Sequence, residues 1–134
     1  MATINAPTLS DIQYSGDCPL AYAHGKLTLA SAAIADKVRL VKLYAGTKIH
    51  DCRMINAALG ASTTVSVGYE YVNGEASADA AAVLAATSTS SAASTRMANA
   101  PFILQYDAYV TATIGGGVAT GLLEVDLEYE FKGK

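Results

Sequence analysis

A strict alternation near the C-terminus limits the fold of this chain more than any other feature. Leu123, Val125, Leu127, Tyr129 and Phe131 are apolar, and the residues between them, Glu124, Asp126, Glu128 and Glu130, are all acidic. A period of two sorts the first set onto one face of a β-strand and the second onto the other. A helix, with 3.6 residues per turn, would scatter both sets around its axis. The segment is therefore expected to be a strand with one dry face and one acidic, wet face. Such a strand needs neighbours in a sheet and a second layer to cover its dry side.

The rest of the chain offers both. Lys26–Leu29 reads as a short strand and Asp36–Leu43 as a clearer one. In the latter, Val38 and Leu40 share one face while Arg39, Val41 and Leu43 share the other, so the alternation is imperfect. Lys48–Asn56 sets Ile49, Asp51, Arg53 and Ile55 against His50, Cys52 and Met54. Thr63–Tyr71 brings Val65, Val67, Tyr69 and Tyr71 into register, and Phe102–Leu104 and Tyr109–Ile114 are strands by composition. Turn chemistry separates them at Ala45-Gly46-Thr47, Gly60-Ala61-Ser62, Asn73-Gly74 and Gly115-Gly116-Gly117. Ser77–Ala86 is Ala-dominated, almost free of β-branched residues and opened by Ser77 as a capping residue, which predicts one short helix. Thr87–Ser94 is a Ser/Thr/Ala tract, read as a loop or a weak edge strand. The expectation is an all-β protein, a jelly-roll-like β-sandwich of about eight strands with one short helix. A single sandwich domain would cover residues 25–134.

Residues 1–24 hold no sustained period and are punctuated by Pro7, Gly16 and Pro19. They read as an extended N-terminal arm. Ile4, Leu9, Ile12 and Tyr14 make it too apolar for a solvated tail. These four are the candidate partner-binding residues, and the surface they meet is either the arm's own sheet or a neighbouring subunit.

At 134 residues the chain is expected to be one domain. Its formal net charge is −3 and its nine basic residues are dispersed, which argues against a nucleic-acid partner. No apolar run reaches the length of a membrane span, and no basic-then-apolar leader opens the chain. Synthesis in the cytosol is expected. Cys18 and Cys52 are read as two thiols, with a single bridge between them left open. Only 16% of residues are charged, which suits a protein packed against others better than a free monomer.

Chemistry is mostly absent. His24 and His50 are the only histidines, and neither sits in a zinc-hydrolase spacing. No nucleophile elbow or phosphate-binding loop occurs. His50 and Cys52 form no dyad with an orienting third group. The chain is read as a non-enzyme without cofactor or metal. The acidic row Glu124, Asp126, Glu128 and Glu130 has three readings: a cation site, a docking face for a basic partner, or a solvated face paired to Lys and Arg on adjacent strands. Adjacent members stand about 7 Å apart along a strand, loose for a calcium ion whose ligands converge at about 2.3–2.6 Å.

Three segments carry a resemblance. They are Asp36–Asp51, with Val38-Arg39-Leu40 and Ala45-Gly46-Thr47-Lys48-Ile49; Thr63–Tyr69, with Thr63-Thr64-Val65; and Tyr109–Gly116, with Tyr109-Val110-Thr111. In this order they resemble small structural proteins of tailed bacteriophages, similar to the decoration, or cement, proteins of HK97-type capsids, some of which are jelly rolls. The resemblance spans roughly residues 26–131 and brings no family site residues. It implies a protein on the capsid exterior of the virion, made in the host cytoplasm. It would bind the major capsid protein and itself, as a dimer or trimer. A tail or head–tail connector protein is the structural alternative. A carbohydrate-binding sandwich is the other class. It would need exposed aromatic platforms, for which Tyr22, Tyr44 and Tyr106 are the candidates.

Overall fold

The computed structural model describes residues 1–10 and 20–132. Its strands are β1 (Thr3–Asn5), β2 (Ala21–Ala32), β3 (Lys37–Leu43), β4 (Thr47–Asn56), β5 (Thr64–Tyr71), β6 (Asp79–Ser88), β7 (Ala93–Arg96), β8 (Phe102–Ile103), β9 (Ala108–Gly115) and β10 (Ala119–Phe131). A 3-10 turn at Pro7–Ser10 is the only helical element among the described residues.

The strands form two sheets, ordered β1-β3-β9-β5-β6 and β2-β10-β4-β7, with β8 also on β4. β7 and β8 pair successive stretches of β4, at Arg53–Asn56 and Lys48–Ile49, and so act as one interrupted strand. With β1 set aside, each sheet then has four strands. The chain changes sheet at every connection except those from β5 to β6 and from β7 to β8. This is the jelly-roll form of the β-sandwich. Among the described residues all pairings are antiparallel except β1 on β3.

The core lies between the sheets. Leu123, Val125, Leu127 and Tyr129 are at most 1% exposed, as their alternation requires. Leu123, Val125 and Leu127 form one buried cluster with the inward residues of β3, β4, β5 and β9, such as Leu40, Ile49, Met54, Val67 and Val110. Phe131, last of the apolar set, lies beyond the covered part of the strand and is exposed.

Two irregularities revise the expected facing. The β3–β9 register shifts between Arg39 and Val41, so Leu40 and Val41 are both buried and the broken alternation of β3 is a bulge. The β4–β10 register shifts between Glu128 and Tyr129. His50 is the extra residue, and Ile49 therefore shares the inner face with Cys52 and Met54, while Asp51, Arg53 and Ile55 turn outward.

The short helix expected at Ser77–Ala86 is not formed; the segment is mostly β6. Alanine's helix preference is worth only a few tenths of a kcal/mol per residue over most others. Against it stands the open edge of β5, whose backbone groups find partners only in another strand. Val83 and Leu84 are buried together against that edge.

The N-terminal segment is built into the first sheet. β1 runs parallel to β3, Ala6 N–H donates to the Arg39 carbonyl at 2.9 Å, and Ala6 is buried. β2 begins at Ala21, within the span read as arm.

Candidate interaction surfaces

The outer face of the second sheet carries the acidic row. Register sets each acid beside a donor on β2 or β4. Lys26 Nζ lies 3.5 Å from Glu124, and Asp126 takes His24 on one side and Arg53 Nη2 at 3.4 Å on the other. Tyr22 Oη donates to Glu128 at 3.4 Å, and Glu130 holds both Lys132 Nζ and His50 Nε2 at 3.0 Å. Lys132, and then His50, keep the Glu130 carboxyl below its usual range. Asp51, bonded first to Arg96 and then to the Cys52 N–H, is held down likewise. The row is thus internally paired, the third of its readings. Among the described residues no group of three metal-ligating side chains is suited to hold an ion.

His50 faces Glu130 on the outside, whereas Cys52 is buried and free on the inside. Burial, followed by the negative charges of Asp51 and Asp126, pushes the Cys52 thiol up to about 12. The two side chains cannot act as a dyad. Cys18 lies outside the described residues.

Strand direction gathers the connections 33–36, 57–63, 89–92 and 116–118 at one end of the sandwich. Asp36 is their only charged residue, and it is buried. Its carboxylate accepts the Ala2 N–H at 2.8 Å and the Ala33 N–H at 3.0 Å, and these two bonds keep it below its ordinary range. Thr89 Oγ1 donates to Thr63 Oγ1 at 3.0 Å inside this end, which fixes two of the connections to each other. Ile34 and Val118 project from the remaining two, 58% and 57% exposed. The sequence carries the matching signal: residues 54–69, 80–95 and 108–123 are each free of charge.

The opposite end is aromatic. Tyr69 stands 5.1 Å from Tyr71 and 5.8 Å from Phe102, and Tyr71 meets Tyr106 edge-on at 5.3 Å. Burial, and then the hydrogen bond with Tyr71, hold the Tyr69 phenol above its usual range. Tyr69, Tyr71 and Phe102 floor a groove of about 640 Å³ between the edges β6 and β8, rimmed by Asp79, Asn99, Ile103 and Gln105. Sequence reasoning placed Tyr69 and Tyr71 in the strand register but could not see β8 arrive beside them.

Of the arm residues, Ile4 packs against the domain's own core and Leu9 is half-buried in the 3-10 turn. Ile12 and Tyr14 lie outside the described residues.

No protein-family model matches the sequence, and no curated protein does either. Solved structures do share the fold. A chain from the capsid of Ralstonia phage GP4 is similar at TM-score 0.77 and 16% identity, over 98% of this chain and 99% of that one. A chain of the cyanophage Pam1 capsid asymmetric unit is similar at TM-score 0.67 and 11% identity, over 90% and 91%. A chain from the acidic stable capsid structure of Helicobacter pylori bacteriophage KHP30 is similar at TM-score 0.62 and 16% identity, over 86% and 90%.

Proposed function

We propose that this chain is a structural virion protein, a decoration protein bound to the outside of a phage capsid. The observation that carries the reading is coextensiveness: the sandwich matches a chain of a phage capsid along nearly the whole length of both. The resemblance of Asp36–Asp51, Thr63–Tyr69 and Tyr109–Gly116 to decoration proteins points the same way. Its partners would be the major capsid protein and other copies of itself. The arm ahead of β2, with Ile4 anchored on the domain and Leu9, Ile12 and Tyr14 beyond it, would add contacts to a neighbour.

The mechanism is linkage. A protein that binds the assembled shell and not its dissociated subunits stabilises the shell by mass action. Symmetry repeats each modest contact, and linked copies gain through effective concentration. A low-charge surface with an uncharged end suits such packing.

The experiment is to add the purified chain to capsids assembled without it. Saturable binding over the shell surface, with a rise in the temperature of shell disruption, is expected. Binding confined to tails or to a single vertex would move the protein to the tail or connector. No binding to any virion part would remove the reading.

A further inference from the structure

We infer that the aromatic groove between β6 and β8 is a docking site for an extended segment of a shell protein, one carrying a Lys or Arg among apolar residues. This rests on the capsid reading for the source of the segment, but the chemistry comes from the groove. Its floor is aromatic: Tyr69, Tyr71 and Phe102 are half-buried, and Ile103 on the rim is 52% exposed. About 640 Å³ admits more than one side chain, so it fits a segment better than a single anchor.

Charge selects the occupant. The acids of the outer sheet face are matched by basic or donor groups beside them, and Glu70 on β5 is matched by Lys37 and Arg39, which reach it from β3 across β9. At the groove this pairing stops. Among the described residues Asp79 has no basic partner; it accepts only the Ala81 N–H at 3.0 Å. A carboxylate without a cation on the rim of an aromatic trough complements a basic side chain flanked by apolar ones. A sugar fits less well, because the Tyr69 ring is tilted at 53° to Tyr71 and at 37° to Phe102, so the floor offers no common flat platform. The Asn99 amide is also engaged, donating to the Ala82 carbonyl at 2.9 Å.

The test uses the full chain and shells assembled without it. Ile103→Asp and Asp79→Lys both alter exposed side chains, so matching thermal melts should establish that each variant is folded. Each is expected to weaken shell binding at least about tenfold, the loss typical of a central interface contact. Wild-type binding should weaken between low and high salt, and that salt dependence should shrink in Asp79→Asn. Val118→Asp, at the uncharged end, serves as the comparison. If Val118→Asp abolishes binding while the groove variants bind as wild type, the inference is overturned and the capsid reading stands. If wild type binds no shell, both fall. Competition by a soluble glycan mixture, with shell binding lost, would place a sugar in the groove and overturn the peptide assignment.

Discussion

Leu127 and Glu128 are neighbours in sequence and opposites in environment. Leu127 is fully buried between the sheets, while Glu128 lies on the outer face and accepts a hydrogen bond from Tyr22. Leu127→Ala should therefore cost about 2–5 kcal/mol through lost burial and the cavity left behind. Glu128→Gln should cost no more than about 0.5 kcal/mol. Paired denaturant melts measure both, and equal losses would contradict the facing. Glu70 makes a different prediction. Burial alone would raise its carboxyl, but Lys37 and then Arg39 bond to it, and the net effect is a value below its ordinary 4.5. A depressed carboxyl stabilises the fold above its unfolded value and loses that contribution as pH falls through the folded one. Wild type should lose melting temperature as pH falls below about 4.5, and Glu70→Gln, already weaker at neutral pH, should lose less over the same range. Parallel curves for the two proteins would remove Glu70 from the acid response.

The element that departs most from local preference is β6, and Gly68 is the reason it fits. The β5–β6 register moves from Val67 opposite Leu84 to Tyr69 opposite Asp79, so β6 bulges over the middle of β5. A Cβ at residue 68 would stand 2.0 Å from the Asp79 carbonyl oxygen and 2.4 Å from the Ala80 carbonyl carbon. Both are backbone atoms, so the bulge itself would have to move. Gly68→Ala should destabilise by about 1–3 kcal/mol, as overpacking does, seen as a lower denaturant midpoint. An unchanged midpoint would mean that β6 is free to shift away from β5. The hairpin from β9 to β10 uses glycine for another purpose. Gly116 has φ +73°, and a Cβ there would lie 2.0 Å from the Ser62 carbonyl oxygen, so this residue holds two loops of the uncharged end in close approach.

In the whole molecule, the N-terminal strand completes one edge of the first sheet. Three observations tie it there: the β1–β3 register, the buried Ala6 and the Asp36 carboxylate bound to the Ala2 N–H. Removing residues 1–10 should lower the melting temperature, on the order of 5 °C or more for a domain of this size, with the far-UV signature of the sandwich retained. An unchanged melt would mean that the strand adds nothing to folding and serves partners alone. The two ends of the sandwich differ in kind. One is uncharged, with Ile34 and Val118 as its tips; the other is aromatic and acid-rimmed. A sandwich with unlike ends has a built-in polarity.

The fold class is readable from residues because a period of two is a local property. Leu123 to Tyr129 alternate in a way no helix can use, and the turn residues around them bound strands of ordinary length. The pairing of the acidic row was also among the sequence readings, since a neighbouring strand brings its own side chains to the same face. The strand at Asp79–Ser88, the bulges at Leu40 and His50, and the groove are not readable in this way. Each depends on a partner distant in the chain: the open edge of β5, the registers set by β9 and β10, and the arrival of β8 beside Tyr69. Helix propensity is a small energy per residue, whereas an unpaired sheet edge leaves a whole row of backbone groups without partners. Where the two conflict, the neighbouring strand decides.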